Sequence, residues 1–324
     1  YFDSFIKFII SKINLGIYII MKKIDAWLLT EGAHGMISQV EGLAKSLNVN
    51  YQHKKISYNK LWSLFPPRFT PKNEFVFNCN EIINDKSNIQ NPTLLISCGR
   101  KSVIPSIVIK NYFKKKNNQS IFNIHIQDPK IDIKNFNFVI VPEHDGIRGD
   151  NIITTKGAIH YISSEEIITA RKNIQPENVL TVILGGPNKY YLFGLDEIKN
   201  VFNTIEHLFF NKVDQVKIIC SRRTPENIIN FLKEKYIHNS KIIIDSSLQR
   251  QNYINALAEA KKIIVTSDSI SMISEAATTG TPIYVAQLTP NKNDYRFNKF
   301  IELFKNLNII KDLNASEECW TYDG

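Results

Sequence analysis

The chain has 324 residues, 43% of them hydrophobic, and 40 Lys and Arg against 31 Asp and Glu give a formal net charge of +9. That length suits two domains, and the apolar content fills real cores, so a disordered chain is excluded. The positive excess favours anionic partners, but the cations are scattered and neither zinc-finger spacing nor an aromatic-basic RNA signature occurs, which excludes a nucleic-acid module.

Residues 1–20 are apolar but broken by Asp3, Lys7, Lys12 and Asn14, and Met21-Lys22-Lys23 reads as a natural start. The segment is expected to be an upstream, non-native extension; an amphipathic membrane anchor is the alternative. No other segment is apolar enough to span a bilayer.

The N-terminal α/β domain is expected over residues 21–163. A buried-strand pattern, Ile24 to Leu29, runs into the glycine-bearing loop Thr30 to Gly35, and Met36, Val40, Leu43 and Leu47 mark a helix face. His34 then lies at the carboxyl edge of the first strand, where open α/β sheets bind ligands, with Gly35, Ser38 and Gln39 beside it. Its plain alternative is an exposed loop histidine. Tyr51 to Ser57 reads as a second strand. The proline-stopped run Leu61-Trp62-Ser63-Leu64-Phe65-Pro66-Pro67 reads as a core plug, with an acceptor- or membrane-facing patch as the alternative.

Thr93 to Ser97 is a strand followed by Gly99-Arg100-Lys101, two cations at a strand-to-helix junction suited to phosphate or an acidic substrate; solvated surface charge is the alternative. The strand ending at Ile126 leads into Asp128, and the next leads into Glu143-His144-Asp145. Consecutive residues do not converge as metal ligands, so no metal is expected. Several strands ending in polar residues on one side build a single rim.

After a polar helix over Ser164 to Gln175 and a linker at Pro176-Glu177-Asn178, alternation restarts in a C-terminal domain over residues 177–290. Val179 to Leu184 runs into Gly185-Gly186-Pro187-Asn188, glycines that permit close backbone approach to a ligand. Val216 to Cys220 runs into Ser221-Arg222-Arg223, with Thr224 as helix cap. The arginines suit a pyrophosphate; a structural ion pair is the alternative. Ile263 to Val265 is a strand, Ser267, Asp268 and Ser269 form the next loop, and a helix carries Ser271, Met272 and Glu275. A helix N-terminus at a strand end favours an anion, and Glu275, one turn in, suits a ribose; simple capping is the alternative. A helix and tail fill residues 291–324, which end as though cut short. The cysteines, Cys79, Cys98, Cys220 and Cys319, form no C-x-x-C pair, which points to a reducing compartment without a disulfide framework.

Seven motifs in order carry a family resemblance: TEGAHGMISQVEGLA, SCGRKSVIPSIVIK, IQDP, VPEHDGIRGDN, ILGGPN, SRRTP and TSDSISMISEAATTGTPIYV. Together they resemble the mitochondrial fission ELM family, whose bacterial members are treated as glycosyltransferases. The resemblance implies a GT-B-like α/β fold, two Rossmann-type domains with parallel sheets facing a central cleft, and no required metal or cofactor. It implies a nucleotide-diphosphate sugar held by Gly185, Gly186, Asn188, Ser221, Arg222, Arg223 and the Ser267 to Met272 loop, with Glu275 on the ribose. The acceptor, a cell-envelope glycan or lipid-linked sugar, would face Gly35, Ser38, Gln39, Gly99, Arg100 and Lys101. His34, or else Asp128 or Asp145, would deprotonate it. The expected location is the cytoplasm, with peripheral contact at the inner face of the membrane. A non-catalytic adaptor on the same fold is the rival reading. A nicotinamide enzyme is disfavoured, since G-x-G-x-x-G is absent.

Overall fold

The structure, a computed structural model, describes residues 25–85, 87, 91–172, 177–292, 295–314 and 320–323. The expected extension over residues 1–20, the Met21 start, Pro176 of the expected linker and Cys319 lie outside the described residues. The chain divides into two compact units, Tyr1–Tyr161 and Ile162–Gly324.

The first unit holds six parallel strands: β1 (Asp25–Thr30), β2 (Asn50–Lys55), β3 (Leu94–Cys98), β4 (Phe122–Ile126), β5 (Phe138–Pro142) and β6 (Ile152–Thr155). Their spatial order is β2-β1-β3-β4-β5-β6. Helices α1 (His34–Ser46), α2 (Cys79–Ile83) and α3 (Val103–Asn117) belong to the same unit. Strand β3 is buried along its whole length, as a parallel strand covered on both faces must be, and so it reads as an apolar run with Ser97 its one polar member. Successive side chains part to opposite faces. Trp27 and Leu29 join Ile107 and Phe113 of α3, whereas Ala26 and Leu28 join Val40 and Leu43 of α1.

The second unit repeats the plan with β7 (Val179–Leu184), β8 (Gln215–Cys220), β9 (Ile242–Asp245), β10 (Ala260–Thr266), β11 (Ile283–Ala286) and β12 (Ile310–Asp312). The order is β12-β11-β10-β7-β8-β9, again parallel throughout. Its helices are α4 (Ser164–Arg171), α5 (Leu195–Phe209), α6 (Glu226–Lys235), α7 (Arg250–Glu259), α8 (Ile270–Ala277) and α9 (Tyr295–Asn306). Helix α4 starts in a Ser163–Glu166 capping box, and Arg171 at its end donates to the carbonyls of Ala258 and Thr279. The expected α/β class, with two Rossmann-type units and parallel sheets, is therefore met. The expected cap at Thr224 is not: Pro225 precedes α6 without a side-chain cap, and the Thr224 hydroxyl turns back to the Gly185 carbonyl at 2.7 Å.

Both sheets contain a switch point. In the first, the chain steps from β1 to β2 on one side and then places β3 on the other. In the second, it steps from β7 through β8 to β9, then returns to lay β10 against β7. Loops at the carboxyl ends of such neighbours diverge and leave a crevice, the usual ligand position in open α/β sheets.

Among the described residues, no helix is long and apolar enough to cross a membrane, and no group of three or more His, Cys, Asp or Glu side chains could hold a metal ion. Cys79, Cys98 and Cys220 are free thiols, all buried.

Gly42 of α1 tests the packing of the first unit. A Cβ there would meet the His160 carbonyl oxygen at 2.3 Å, so backbone rather than a pliable side chain must yield. Gly42→Ala should lower unfolding free energy by about 1–3 kcal/mol in a urea titration, despite alanine's better helix propensity.

Candidate functional site

The switch point of the second unit joins three strand-end loops. Gly185 and Gly186 follow β7, Ser221 to Thr224 follow β8, and Ser267 to Ser269 follow β10. Asp268 lies at the centre with a fully buried side chain. One carboxylate oxygen accepts from the Thr266 hydroxyl at 2.7 Å. The other accepts from the Gly186 amide at 3.0 Å and from Arg223 at 2.7 Å. Arg223 also donates to the Gly186 carbonyl at 3.0 Å, the Ser221 hydroxyl to the Gly185 carbonyl at 2.8 Å, and the Asn188 amide to the Asp268 carbonyl at 2.9 Å.

These contacts give several expected ligand residues a framework task. A Cβ on Gly185 would fall 2.1 Å from the Asp268 carboxylate, and one on Gly186 would fall 2.1 Å from the Arg223 carbonyl. The glycines admit protein atoms, where the sequence suggested room for a ligand. Arg223 takes the ion-pair alternative, and Ser267 is buried, its hydroxyl accepting from the Leu288 amide at 3.0 Å.

Other groups stay open to an anion. Arg222 is exposed and, among the described residues, makes no ion pair. Helix α8 begins at the same rim, with Ser269 as its cap and no acid in its first turn. Ser269, Ser271 and Met272 are half-buried; the Ser269 hydroxyl accepts from the Met272 amide, and the helix N-terminus carries the positive end of the dipole. One turn further, half-buried Glu275 accepts from the Tyr253 hydroxyl of α7 at 2.9 Å. Burial pushes its carboxyl up to about 7 from the ordinary 4.5, against the lowering effect of that hydrogen bond. Tyr253, Thr266 and Thr224 complete this rim; the sequence placed Thr266 in a polar loop and Thr224 at a helix cap, but not in these contacts. Their partners lie 22 to 81 residues away or face inward, and no short motif carries such pairing.

In the first unit His34 is the exposed first residue of α1, followed by exposed Gly35. Ser38 and Gln39 turn inward: the Ser38 hydroxyl is buried without a hydrogen-bond partner, and the Gln39 carbonyl oxygen accepts from Cys98 Sγ and the Gln127 amide, each at 3.5 Å. Gly99 adopts φ +88°, and a Cβ there would strike Met36. Arg100 is exposed and its guanidinium lies 3.5 Å from the Ser63 carbonyl. Lys101 pairs with Glu31 at 3.1 Å. Asp128 closes a turn by accepting from the Lys130 amide at 2.8 Å and pairs with the Lys130 side chain. Asp145 lies 4.0 Å from His144. Strand β3 separates β1 from β4, so the strand ends that lead to His34 and to Asp128 lie about 10 Å apart. The first unit thus gathers no acid–base pair around His34 among the described residues. His125 of β4, which the sequence did not single out, shares a 2.9 Å hydrogen bond between Nδ1 and the Ser97 hydroxyl of β3, and burial pushes it down to about 3, leaving it a neutral core residue. A surface hollow beside Tyr236, His238 and Ile242 lies at the amino end of β9, away from these rims.

A family model described as mitochondrial fission ELM1 matches residues 34–324. The chain is 27% identical to the uncharacterised protein RP120 of Rickettsia prowazekii, over 90% of this chain and 91% of that protein. It is 24% identical to the mitochondrial fission protein ELM1 of Arabidopsis thaliana, over 71% of this chain and 60% of that protein. Among solved structures it is similar to the UDP-GlcNAc 2-epimerase of Methanocaldococcus jannaschii, at 13% identity and a TM-score of 0.47, covering 93% of this chain and 95% of that one.

Two outcomes test the second unit's rim. Asp268→Ala strands Arg223 and the Gly186 amide. It should cost about 2–3 kcal/mol in denaturant unfolding, less than a fully buried pair because Arg223 is 42% exposed. Glu275 should make stability depend on pH. Below about 4.5 it is protonated in both the folded and the unfolded chain. Between about 4.5 and 7 the unfolded chain ionises first, so stability falls as pH rises, by at most about 3 kcal/mol, and stays down above 7. Melting curves of Glu275→Gln should lack this slope and gain on the native chain towards pH 8.

Proposed function

The chain belongs to the mitochondrial fission ELM1 family, and within it we propose a metal-independent glycosyltransferase acting on a nucleotide-diphosphate sugar. The observation that carries this reading is the rim of the second unit. Three switch-point loops are locked by Asp268, and they leave the α8 N-terminus and Arg222 open to an anion. In the proposal the diphosphate lies on the first amides of α8 and on Ser269, Ser271 and Arg222. Gly185, Gly186, Asn188, Arg223, Ser267 and Asp268 hold those donors in place. Helix dipole and guanidinium then stabilise the departing nucleotide, where negative charge grows during transfer, without a metal. Glu275 takes the ribose hydroxyls. The acceptor, a cell-envelope or lipid-linked sugar, meets the rim of the first unit at Gly35, Gly99 and Arg100, and His34 is the base.

One observation favours a second reading. His34 is exposed and, among the described residues, no carboxylate orients its ring. A non-catalytic adaptor that keeps nucleotide-sugar binding without transfer has no need of that base, and the Arabidopsis relative is named for mitochondrial fission.

Thermal-shift titration with UDP-, GDP- and ADP-sugars checks the shared premise. A ligand at a hundredfold its Kd should stabilise the chain by about 2.7 kcal/mol. Arg222→Ala and Glu275→Gln should each weaken binding about tenfold or more, as loss of a charged hydrogen bond does. Absence of any shift across these donors would sink both readings of the rim. Binding without sugar transfer in a mixed-acceptor assay would select the adaptor.

A further inference from the structure

The segment between β2 and α2 sends Ile56, Val76 and Phe77 into the core but leaves five other large apolar side chains exposed. Leu61 is 61% exposed, Leu64 78%, Phe65 41%, Phe69 61% and Phe75 54%. The core plug expected from the sequence is thus overturned. Short 3-10 turns at Trp62–Leu64, Pro67–Phe69 and Glu74–Val76 have no repeating apolar face to turn inward.

The excursion is nonetheless held in shape. An antiparallel bridge joins Tyr58 to Phe77 at its neck, with the Asn59 amide donating to the Val76 carbonyl and the Asn78 amide to the Ser57 carbonyl, each at 3.0 Å. Half-buried Trp62 stands between Phe65 and Phe75, with ring centroids at 5.6 and 6.2 Å. The Thr70 hydroxyl closes the middle turn on the Pro66 carbonyl at 3.0 Å.

The charges around these residues are nearly all of one sign. Lys60, Arg68 and Lys72 are exposed, against a single acid, Glu74, within residues 59–76. The Arg68 guanidinium lies 4.6 Å over the Phe69 ring, and Arg100 reaches the Ser63 carbonyl from the β3 strand end. Exposed Leu and Phe tips ringed by Lys and Arg match an anionic bilayer: the tips enter the acyl boundary while the cations stay among the headgroups. A second copy of the chain would instead set cation against cation.

We infer that residues 59–76 form a docking surface for an anionic lipid bilayer. The surface lies at the carboxyl end of β2, on the edge that also carries His34 and Arg100. It would bring the first unit's rim to a membrane-held acceptor, but the docking itself stands whether or not the second unit binds a nucleotide sugar.

The test is co-sedimentation of the full chain with phosphatidylcholine vesicles, with and without phosphatidylglycerol. The chain should bind the phosphatidylglycerol vesicles and be released as salt rises. The double variant Leu64→Glu, Phe69→Glu should lower partitioning by at least about tenfold. Lys60→Glu should lower it about fivefold or more, as loss of one interfacial cation does. Far-ultraviolet circular dichroism should match the native chain in each, since these side chains are exposed. Equal binding to both vesicles, or binding that survives the double variant, would overturn the inference. So would lipid-free self-association abolished by the same substitutions, which would assign the face to a second copy.

Discussion

A carboxylate removed from water must find donors within the protein, and Asp268 finds them in three loops at once. Its burial is the constraint that sets the second rim. Moving such a charge into the interior is tolerable only with good geometry and matched hydrogen bonds. Thr266 supplies one from its own strand end, Gly186 another from the neighbouring strand, and Arg223 the counter-charge from the strand beyond. The same closeness explains the twin glycines, since no side chain fits between the carboxylate and the backbone that binds it. Locking the loops also sorts two adjacent arginines. Arg223 is consumed by the lock, and Arg222 keeps its charge at the surface.

The first unit is also a parallel sheet with a switch point, in a different strand order, but it lacks the lock. Its strand ends meet through weaker links: a Lys101–Glu31 pair, roughly a third exposed on both sides, and long contacts from Gln39. Exposed pairs of that kind stabilise little. Two rims of one architecture therefore differ in character. One is preorganised around a buried charge. The other is loosely tied and exposed, with an apolar and basic excursion at its edge, and suits a partner that is broad rather than sharply shaped.

Strands and helices were readable because their periods are local. The mostly apolar run of β7, interrupted only by Thr181, and the Ile273–Ala276 face of α8 announce themselves within a few residues. The left-handed Gly280, at φ +67°, appears where the helix was expected to close. The site was legible as a set of strand-end loops but not as a division of labour. Arg222 and Arg223 are neighbours in the chain, and only a contact 45 residues away separates their roles. The same holds for Ser267, whose partner is 21 residues on. The stretch from Leu61 to Pro67 misled for the opposite reason: apolar content suggested a core, but burial needs a periodic face or a cavity to fill, and proline-bounded turns offer neither.

Glu275 bears on whether the second rim evolved to hold a ligand. A half-buried carboxyl raised to about 7 is destabilising when ionised, and one Tyr253 hydroxyl does not offset its lost hydration. A chain that needed only the fold would be more stable with an amide or apolar side chain at this position. A further pair of donors would change that balance, because each hydrogen bond to the ionised form lowers its pKa and recovers stability. The vicinal hydroxyls of a ribose supply such donors, at the distance of one helical turn from amides suited to a phosphate. Under the proposed function, the unfavourable carboxyl and the open helix N-terminus would meet two parts of one molecule, and the proposal therefore names a nucleotide and not an isolated phosphate at the rim.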